Sequence, residues 1–308
     1  MDEMIGTVGR IDGAIPASHR DCRVPEAPAD DGEKAGPEGR ISSHSHASST
    51  ARQQEMIALL CVFRLSLPGR FTYISRMTRL LESWHSLTLR KRYHLLNYLV
   101  RSRGYTRYLE IGVRNPRITF NRIRVARKEA VDPAPLAPLG HVMRSDDFFS
   151  MMDANGRAAE FDLVFIDGLH LADQVERDVE NSLRYLSPGG TIVLHDCNPP
   201  NEEAQAEFFD GTQKVWTGTV WKAWAKLRAT RADLSMCVVD IDLGCGVVQR
   251  GSQTCYPAPV QFDQMTYRFL TSNRRELLNL VSAAQFLSLE GRTSPLLKVS
   301  ENVLLTGR

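Results

Sequence analysis

The sequence predicts an α/β fold built on a doubly wound, mostly parallel sheet with helices on both faces. Short, mainly apolar runs occur at residues 108–112, 161–167 and 191–196, a pattern typical of strands that are buried on both sides. Between the last two runs, apolar residues over 171–186 recur at helical spacing. Strands that alternate with helices in this way indicate βαβ units and therefore a parallel sheet.

The other elements follow the same patterns. Five parallel strands are predicted, in chain order, at residues 108–112, 128–132, 141–147, 161–167 and 191–196, the third being the weakest. Residues 236–251 indicate two further strands around a glycine-containing turn, which close the sheet as an antiparallel pair. Helices are predicted at residues 78–84, 93–100, 171–186, from about 219, and within 270–287. Gly104 ends the second of these helices, and turn residues 187–190 end the third.

Four segments are predicted along the chain. Residues 1–55 are rich in Gly, Pro, Ala and Ser without an apolar period, which indicates a disordered N-terminal tail. Residues 56–104 form a basic helical segment, 105–256 the α/β core, and 257–308 a C-terminal helical extension.

The net charge and the distribution of basic residues limit the classes of partner that the sequence favours. The net charge of +2 gives no global field that would favour nucleic acid. Residues 64–107, however, hold ten Arg or Lys and a single acid, Glu82. This run is either a basic face that contacts an anionic surface or a solvated helix face. Self-association into a homo-oligomer is left open.

Cysteine usage and hydropathy indicate a cytoplasmic protein. The six cysteines show no CxxC pair and no zinc-ligand spacing, which fits reduced thiols. The N-terminus lacks the pattern of a signal peptide. The apolar run at 57–63 is too short to cross a bilayer, so no transmembrane segment is expected.

Polar residues cluster at the predicted carboxyl ends of the strands, where open parallel sheets bind ligands. Asp167 and Asp196 are separated by one helix, so they are expected to end neighbouring strands. The two carboxylates can share a divalent ion, which leaves His170 free to take a proton. In the alternative interpretation, Asp167 caps the following helix and His195 is satisfied in the core.

The turn after the first strand, residues 110–120, contains Gly112 but not the G-x-G-x-x-G pattern of dinucleotide sites. A pyrophosphate needs several close backbone N–H groups at a helix N-terminus. The sequence therefore favours a cofactor that has no pyrophosphate.

In order along the chain, "YLEIGV", "AVDP", "SDDFF", "FDLVFIDGLH" and "LSPGGTIVLHD" resemble the motifs of class I S-adenosylmethionine-dependent methyltransferases. The resemblance is greatest to a small bacterial group whose fourth strand ends in IDG-x-H and whose fifth ends in HD, and it covers about residues 78–290. It implies a Rossmann-like, mostly parallel seven-stranded sheet with an antiparallel final strand and helical N- and C-terminal additions. It also implies S-adenosylmethionine as the cofactor.

The resemblance assigns roles to individual residues. The cofactor-binding residues that it implies are Glu110, Gly112, Asp132, Ser145, Asp146 and Asp167. The first two approach the methionine part of the cofactor, Asp132 accepts the ribose hydroxyls, and Asp167 lies near the sulfonium. Ser145 and Asp146 lie beside the adenine.

A metal is also implied. The similar catechol and macrolide O-methyltransferases hold Mg²⁺ with acids at positions that correspond here to Asp167 and Asp196. The catechol enzymes add an amide ligand where this chain has Cys197, and a thiol suits this ion poorly. Asn198 can replace it if the loop shifts. The catechol enzymes place a basic catalytic residue at the position of His170.

The predicted function is O-methylation of a small hydroxylated substrate such as a sugar or glycan, with His170 and Asp196 as catalytic residues. One alternative is a metal-dependent hydrolase that uses Asp167, His170, His195 and Asp196. Another is a non-catalytic binding module that docks through the basic helices.

A cluster formed by Trp216, Trp221 and Trp224 either covers the substrate or belongs to the core of an amphipathic helix.

Overall fold

The computed structural model describes residues 89–293 except 157 and 159, and it leaves out the side chains of 291–293. The predicted tail at 1–55, the helix at 78–84, most of the basic segment 56–104 and the last part of the C-terminal extension lie outside the described residues.

Seven strands of the described chain form one sheet. They are β1 (Arg107–Ile111), β2 (Arg127–Val131), β3 (Phe161–Ile166), β4 (Leu186–Leu194), β5 (Leu234–Val239), β6 (Cys245–Arg250) and β7 (Leu280–Val281). Their order in the sheet is β2-β1-β3-β4-β6-β5-β7. Only β6 is antiparallel to its neighbours β4 and β5. This confirms the predicted mostly parallel sheet, and the two-residue strand β7 follows the antiparallel strand in the chain.

Six α-helices accompany the sheet in the described part. They are α1 (Arg92–Arg103), α2 (Ser145–Ala154), α3 (Ala172–Tyr185), α4 (Val220–Thr230), α5 (Tyr267–Leu278) and α6 (Ala283–Thr293). One buried cluster joins one face of the sheet to α2, α3, α4 and α5. A second cluster joins the opposite face to α1 and α6.

Strand β3 shows why the central strands are continuously apolar. Val164 and Ile166 belong to the first cluster. Leu163 and Phe165 belong to the second. Because successive side chains of a strand point to opposite faces, the part of a strand that is covered by helices on both sides needs apolar residues at successive positions.

The predicted strand at 141–147 is wrong. His141 makes only an isolated bridge to Val131, and Ser145 begins helix α2. Asp146 and Asp147 lie in the first turn of that helix, where negative charge is favourable. Phe148 and Met152 are buried one turn apart, which is the pattern of a helix packed on a sheet.

Residues 187–190 do not form a separate turn, although α3 ends before them as predicted. They lie within β4, where the register moves from Phe161↔Leu186 to Leu163↔Thr191. The irregularity surrounds Asp162, which accepts hydrogen bonds from Ser187 Oγ and Arg107 Nη2, both at 2.7 Å. Strand β4 therefore contains an irregular, bulge-like segment. Its Pro and Gly residues made the sequence look like a turn there.

The remaining elements agree with the sequence. Gly104 ends α1 in the left-handed conformation, and β5 and β6 form the predicted antiparallel pair. The predicted C-terminal helices are α5 and α6, while β7 between them joins the sheet beside β5. The division into four segments stays a prediction. None of the described helices has a stretch long and apolar enough to cross a lipid bilayer.

Candidate functional site

A cavity of about 960 Å³ opens at the carboxyl ends of β1, β2, β3 and β4. Its volume is at the upper end of the range for small-molecule sites, about 300–1,000 Å³. The site residues predicted from the sequence all line it: Glu110, Gly112, Asp132, Ser145, Asp146, Asp167, His170 and Asp196. The structure therefore brings them together at one edge of the sheet.

The parallel register explains this convergence. Gly112 N donates to Val131 O at 2.8 Å, and Asp167 N donates to Ile111 O at 2.9 Å. His195 N donates to Ile166 O at 3.0 Å in the same way. Each strand therefore ends level with its neighbour, and the next residue of each one faces the same space.

Gly112 allows the ends of β1 and β3 to approach each other. Its φ is +91°, and a Cβ atom there would lie 2.1 Å from the carbonyl oxygen of Asp167. Only glycine adopts this backbone region without strain, and only a residue without a side chain fits against the carbonyl group. Gly112 is thus required by the backbone geometry beside the cavity.

Glu110 is a buried acid at the base of the cavity. The Tyr108 hydroxyl donates a hydrogen bond to Glu110 Oε2 at 2.5 Å. Burial raises the pKa of Glu110 to about 8, and this effect outweighs the hydroxyl, which lowers it. The carboxyl group is therefore mainly neutral at pH 7 and can donate as well as accept a hydrogen bond.

A second acidic group lines the cavity from α2 and α3. Gln174 Nε2 donates to Ser145 Oγ at 3.2 Å, to Asp146 Oδ1 at 3.3 Å and to Asp178 Oδ1 at 3.0 Å. Burial raises the pKa of Asp178 to about 6. The sequence did not single out Asp178, since a charged residue inside an amphipathic helix is usually solvated.

Two histidines and two aspartates form what we call the strand-end cluster: Asp167, His170, His195 and Asp196. His195 Nδ1 lies 3.2 Å from Asp167 Oδ1 and 3.0 Å from Asp196 Oδ1. His170 Nε2 lies 3.5 Å from Asp167 Oδ1, and its Nδ1 lies 3.4 Å from Asp196 Oδ2. Each imidazole therefore lies between the two carboxylates.

Within the cluster, Asp167 and His195 favour their charged forms. Burial alone would raise the pKa of Asp167, but His195, the hydrogen bond of His170 and Arg92 hold it well below its usual range. Burial alone would lower the pKa of His195, but the carboxylates of Asp167 and Asp196 raise it well above its usual value. Asp167 is therefore an ionised carboxylate surrounded by positive charge.

Arg92 was not predicted as a site residue. Its Nη1 donates to Asp167 Oδ2 at 3.0 Å and lies 2.8 and 2.9 Å from the two ring nitrogens of His195. Asp242 holds the start of α1 by accepting hydrogen bonds from Arg92 N at 3.0 Å and Lys91 Nζ at 2.9 Å. In the sequence, Arg92 is one member of the basic run, with nothing to distinguish it.

The loop before α4 fixes His170. The rings of Trp216 and His170 stack with centroids 4.9 Å apart and an angle of 22°. Thr219 N donates to His170 O at 2.8 Å. Trp221 and Trp224 are fully buried in the core. The three predicted tryptophans therefore have different positions. Trp221 and Trp224 are explained by core packing, whereas Trp216 lines the cavity.

The strand-end cluster offers ligands to a metal ion. Asp167, His170 and Asp196 each present one ligand atom, and these atoms lie within 4.8 Å of one another. Within the described part of the chain, His170 Nδ1 and Asp196 Oδ1 are buried and make no well-aligned hydrogen bond, although Asp196 Oδ1 lies 3.0 Å from His195 Nδ1 and His170 Nδ1 lies 3.4 Å from Asp196 Oδ2. Because such groups are usually satisfied, both atoms favour a further partner between the carboxylates. Ligand type and spacing therefore fit a divalent cation.

The two residues considered as a further metal ligand lie elsewhere. The Cys197 thiol is fully buried, and burial raises its pKa well above the usual value. The Asn198 side chain donates to Asp240 Oδ1 at 3.1 Å and accepts a hydrogen bond from Arg274. Neither residue lines the cavity, so an ion would keep the three ligands above and complete its coordination with water or substrate.

Comparison with known proteins gives one family match, over part of the chain. Residues 99–197 match a family model described as a methyltransferase domain. A search of the curated proteins found no match. Among solved structures, the chain is similar to the O-methyltransferase TomG from Streptomyces achromogenes, in complex with S-adenosylmethionine (19% identity, 51% of this chain and 78% of that chain, TM-score 0.38). It is also similar to the Podospora anserina methyltransferase PaMTH1, bound to S-adenosylhomocysteine (13% identity, 70% and 100%, TM-score 0.40).

These TM-scores are low, so the similarity to methyltransferases rests on the family match. The matched segment runs from α1 through β1, β2 and β3 to the end of β4, and it contains most of the residues that line the cavity. Over residues 99–197, the chain is therefore similar to the methyltransferase domain that this family model describes.

Proposed function

We propose that this methyltransferase transfers the methyl group of S-adenosylmethionine to a hydroxyl oxygen of a small acceptor. One observation carries the proposal: the polar residues that end four neighbouring strands all line a single cavity of about 960 Å³. The bound cofactor would supply an electrophilic methyl group on a sulfonium, and the protein would supply alignment and a proton acceptor.

The cofactor is proposed to lie along the strand ends. Glu110 and Gly112 would approach its methionine part, and Asp132 the ribose. Asp132 Oδ1 already accepts a hydrogen bond from Ala134 N at 2.7 Å, which fixes the carboxyl group so that its remaining acceptor positions can take hydroxyl donors. Ser145 and Asp146 would lie beside the adenine, and Asp167 near the sulfonium.

His170 is proposed to take the proton of the acceptor hydroxyl. With the cofactor bound, the His170 imidazole would accept the hydroxyl proton as the acceptor oxygen takes the methyl group, and S-adenosylhomocysteine would leave. Trp216 and the backbone of Thr219 hold His170 in one orientation. Asp196 would orient the hydroxyl group from the end of β4. An ordered base of this kind contributes about 10²–10⁴-fold to a rate.

A divalent ion at Asp167 and Asp196, of which Mg²⁺ is the expected example, is a separate proposal. With the ligands present, His170 would be its third protein ligand, and the ion would polarise the acceptor hydroxyl. In that case His170 would bind the ion instead of the proton, so metal binding and the base role of His170 are two distinguishable alternatives.

The acceptor is proposed to be a small hydroxylated molecule such as a sugar or glycan. Trp216 supports a ring-shaped acceptor, because a flat aromatic side chain at the cavity can pack on the face of a ring. The exposed side chains of Ile118 and Leu169 also line the cavity. They favour an acceptor that carries an apolar part next to its hydroxyl groups.

Several Arg and Lys residues of the basic run make ion pairs within the described part of the molecule. Arg103 pairs with Glu290 at 2.8 Å, and Arg107 pairs with Asp162 at 2.7 Å. Arg92 and Lys91 are paired as described above. These charges therefore connect the first helix and strand to the rest of the molecule.

Calorimetric titration with S-adenosylmethionine and S-adenosylhomocysteine, with and without Mg²⁺, tests the proposal. We expect both compounds to bind. If neither binds, the methyltransferase proposal is abandoned, and the metal-dependent hydrolase or the non-catalytic binding module takes its place. Hydrolysis of an ester or phosphate panel without any methyl donor would identify the hydrolase.

The role of His170 is tested by His170→Ala. We expect turnover, followed as S-adenosylhomocysteine formation with a panel of hydroxylated acceptors, to fall by about 10²–10⁴-fold while S-adenosylhomocysteine still binds. His94→Ala is the matched control, since His94 is a histidine of α1 outside the cavity lining. Unchanged turnover in His170→Ala would discard the base role.

A further inference from the structure

Arg92 occupies the carboxylate to which a divalent ion would bind. Its guanidinium donates to Asp167 Oδ2 at 3.0 Å, and both side chains are largely buried. We propose that Arg92 is an internal cation that competes with a divalent ion for Asp167, so that tight ion binding requires the guanidinium to leave this carboxylate. This inference rests on the metal site included in the proposed function.

The distances make the competition direct. An ion held by Asp167 at the usual distance of about 2.0–2.1 Å for Mg²⁺ would lie within about 7 Å of Arg92 Nη1. Like charges at such a separation repel strongly in a partly buried site, where solvent and salt screen them little. The ion therefore binds more weakly while Arg92 remains where it is.

The fold holds Arg92 in this position. Its backbone N–H donates to Asp242 Oδ2, and its Nε lies 3.6 Å from the same oxygen. Asp242 and Leu243 both have positive φ, +46° and +67°, in the short turn between β5 and β6. Because this turn and the first residue of α1 are tied together, Arg92 cannot drift away from Asp167 without loss of these contacts.

A second observation points to a ligand between the carboxylates. Asp196 is almost fully buried, its φ is +61°, and its Oδ1, which lies 3.0 Å from His195 Nδ1, makes no well-aligned hydrogen bond among the described residues. Its neighbour His170 Nδ1 is likewise without one in the described structure. Arg92 thus occupies Asp167, while Asp196 and His170 keep atoms available for an ion.

The experiment measures Mn²⁺ binding to the full chain by electron paramagnetic resonance and calorimetry, without any need for turnover. Arg92→Gln removes the competing charge and is expected to bind Mn²⁺ at least tenfold more tightly than the wild-type protein. Arg92→Lys keeps the charge and is expected to stay within about threefold of wild type, since a single charge remains near Asp167.

Arg101→Gln is the matched control. It removes the same charge from an exposed position in the last turn of α1, outside the cavity lining, and should leave the Mn²⁺ affinity unchanged. Unfolding curves and S-adenosylhomocysteine binding confirm that each variant is folded. If Arg92→Gln does not fold, Arg92→Met, which keeps the apolar stem, replaces it.

Equal Mn²⁺ affinities of the wild-type protein and the Arg92 variant would overturn the competition, and so would the absence of binding in both. A similar gain in Mn²⁺ affinity in Arg101→Gln would show that net charge alone causes the effect, and it would overturn the proposed competition as well. Failure of the proposed function is a different result, because it appears as a wild-type protein that binds no S-adenosylhomocysteine, whatever its Mn²⁺ affinity.

Discussion

Gly112→Ala tests whether the cavity depends on the close approach of β1 and β3. The new Cβ would lie 2.1 Å from the carbonyl oxygen of Asp167 and 2.4 Å from Gly168 Cα, whereas real Cβ contacts below 3.0 Å essentially never occur. These are backbone atoms and cannot rotate away. The two strand ends must therefore separate by about 1 Å in an interior that is already close-packed.

Two terms add to the cost. A side chain at a φ of +91° is strained by about 1–2 kcal/mol, and forcing extra volume into a packed site costs about 1–3 kcal/mol. The free energy of unfolding should therefore fall by about 2–5 kcal/mol. For a domain of roughly 200 residues, this lowers the melting temperature by roughly 4–20 °C.

Urea unfolding measures the loss, and Gly104→Ala is the control. Gly104 has a φ of +68° but open space around its missing side chain, so alanine there carries only the backbone strain. S-adenosylhomocysteine affinity should also fall in Gly112→Ala and not in Gly104→Ala, because only the first displaces Asp167. Equal losses of stability in the two variants would refute the reasoning.

Three further outcomes are expected. Glu110→Gln should raise the free energy of unfolding above that of wild type at pH 8 and change it little at pH 5. The reason is that an acid whose pKa is raised to about 8 in the folded protein destabilises the fold as pH rises from about 4.5. A difference between variant and wild type that is the same at both pH values would contradict this. Asp162→Asn should cost about 1–3 kcal/mol at pH 7. Hydrogen bonds from Arg107, a backbone N–H and Ser187 outweigh burial and lower the pKa of Asp162. The difference in stability between wild type and Asp162→Asn should therefore become smaller as pH falls below about 4. Urea unfolding curves that show a constant difference down to pH 3 would disprove this lowered pKa. Gly218→Ala, whose Cβ would lie 2.2 Å from the carbonyl oxygen of His170, should lower turnover more than S-adenosylhomocysteine affinity, and an equal loss of both would exclude a selective effect on His170.

The sheet was predictable because burial on both faces leaves a strong sequence signal. In β3, each of the residues from Leu163 to Ile166 must be apolar, so the strand is readable without any knowledge of its neighbours. The wrong strand at 141–147 shows the limit of this reasoning. That segment has no continuous apolar run, and the helix α2 that begins at Ser145 is specified by contacts of Phe148 and Met152 with the core.

The site was predictable to the extent that strand ends define it. Glu110, Asp132 and Asp167 each follow directly from the position of a strand in a parallel sheet. Arg92 and Asp242 were missed because they depend on contacts between distant parts of the chain. Arg92 is separated in sequence from Asp167 by 75 positions and from Asp242 by 150. A pattern of nearby residues cannot predict such contacts.

The tryptophans in the described part of the chain give the protein two separate optical reporters. Trp221 and Trp224 are sealed in the core, so their emission should follow global unfolding. Trp216 stacks on His170 at the cavity, so its emission should respond to a ligand that enters beside it. A single fluorescence titration of Trp216→Phe against wild type can therefore separate ligand entry from changes in the folded state.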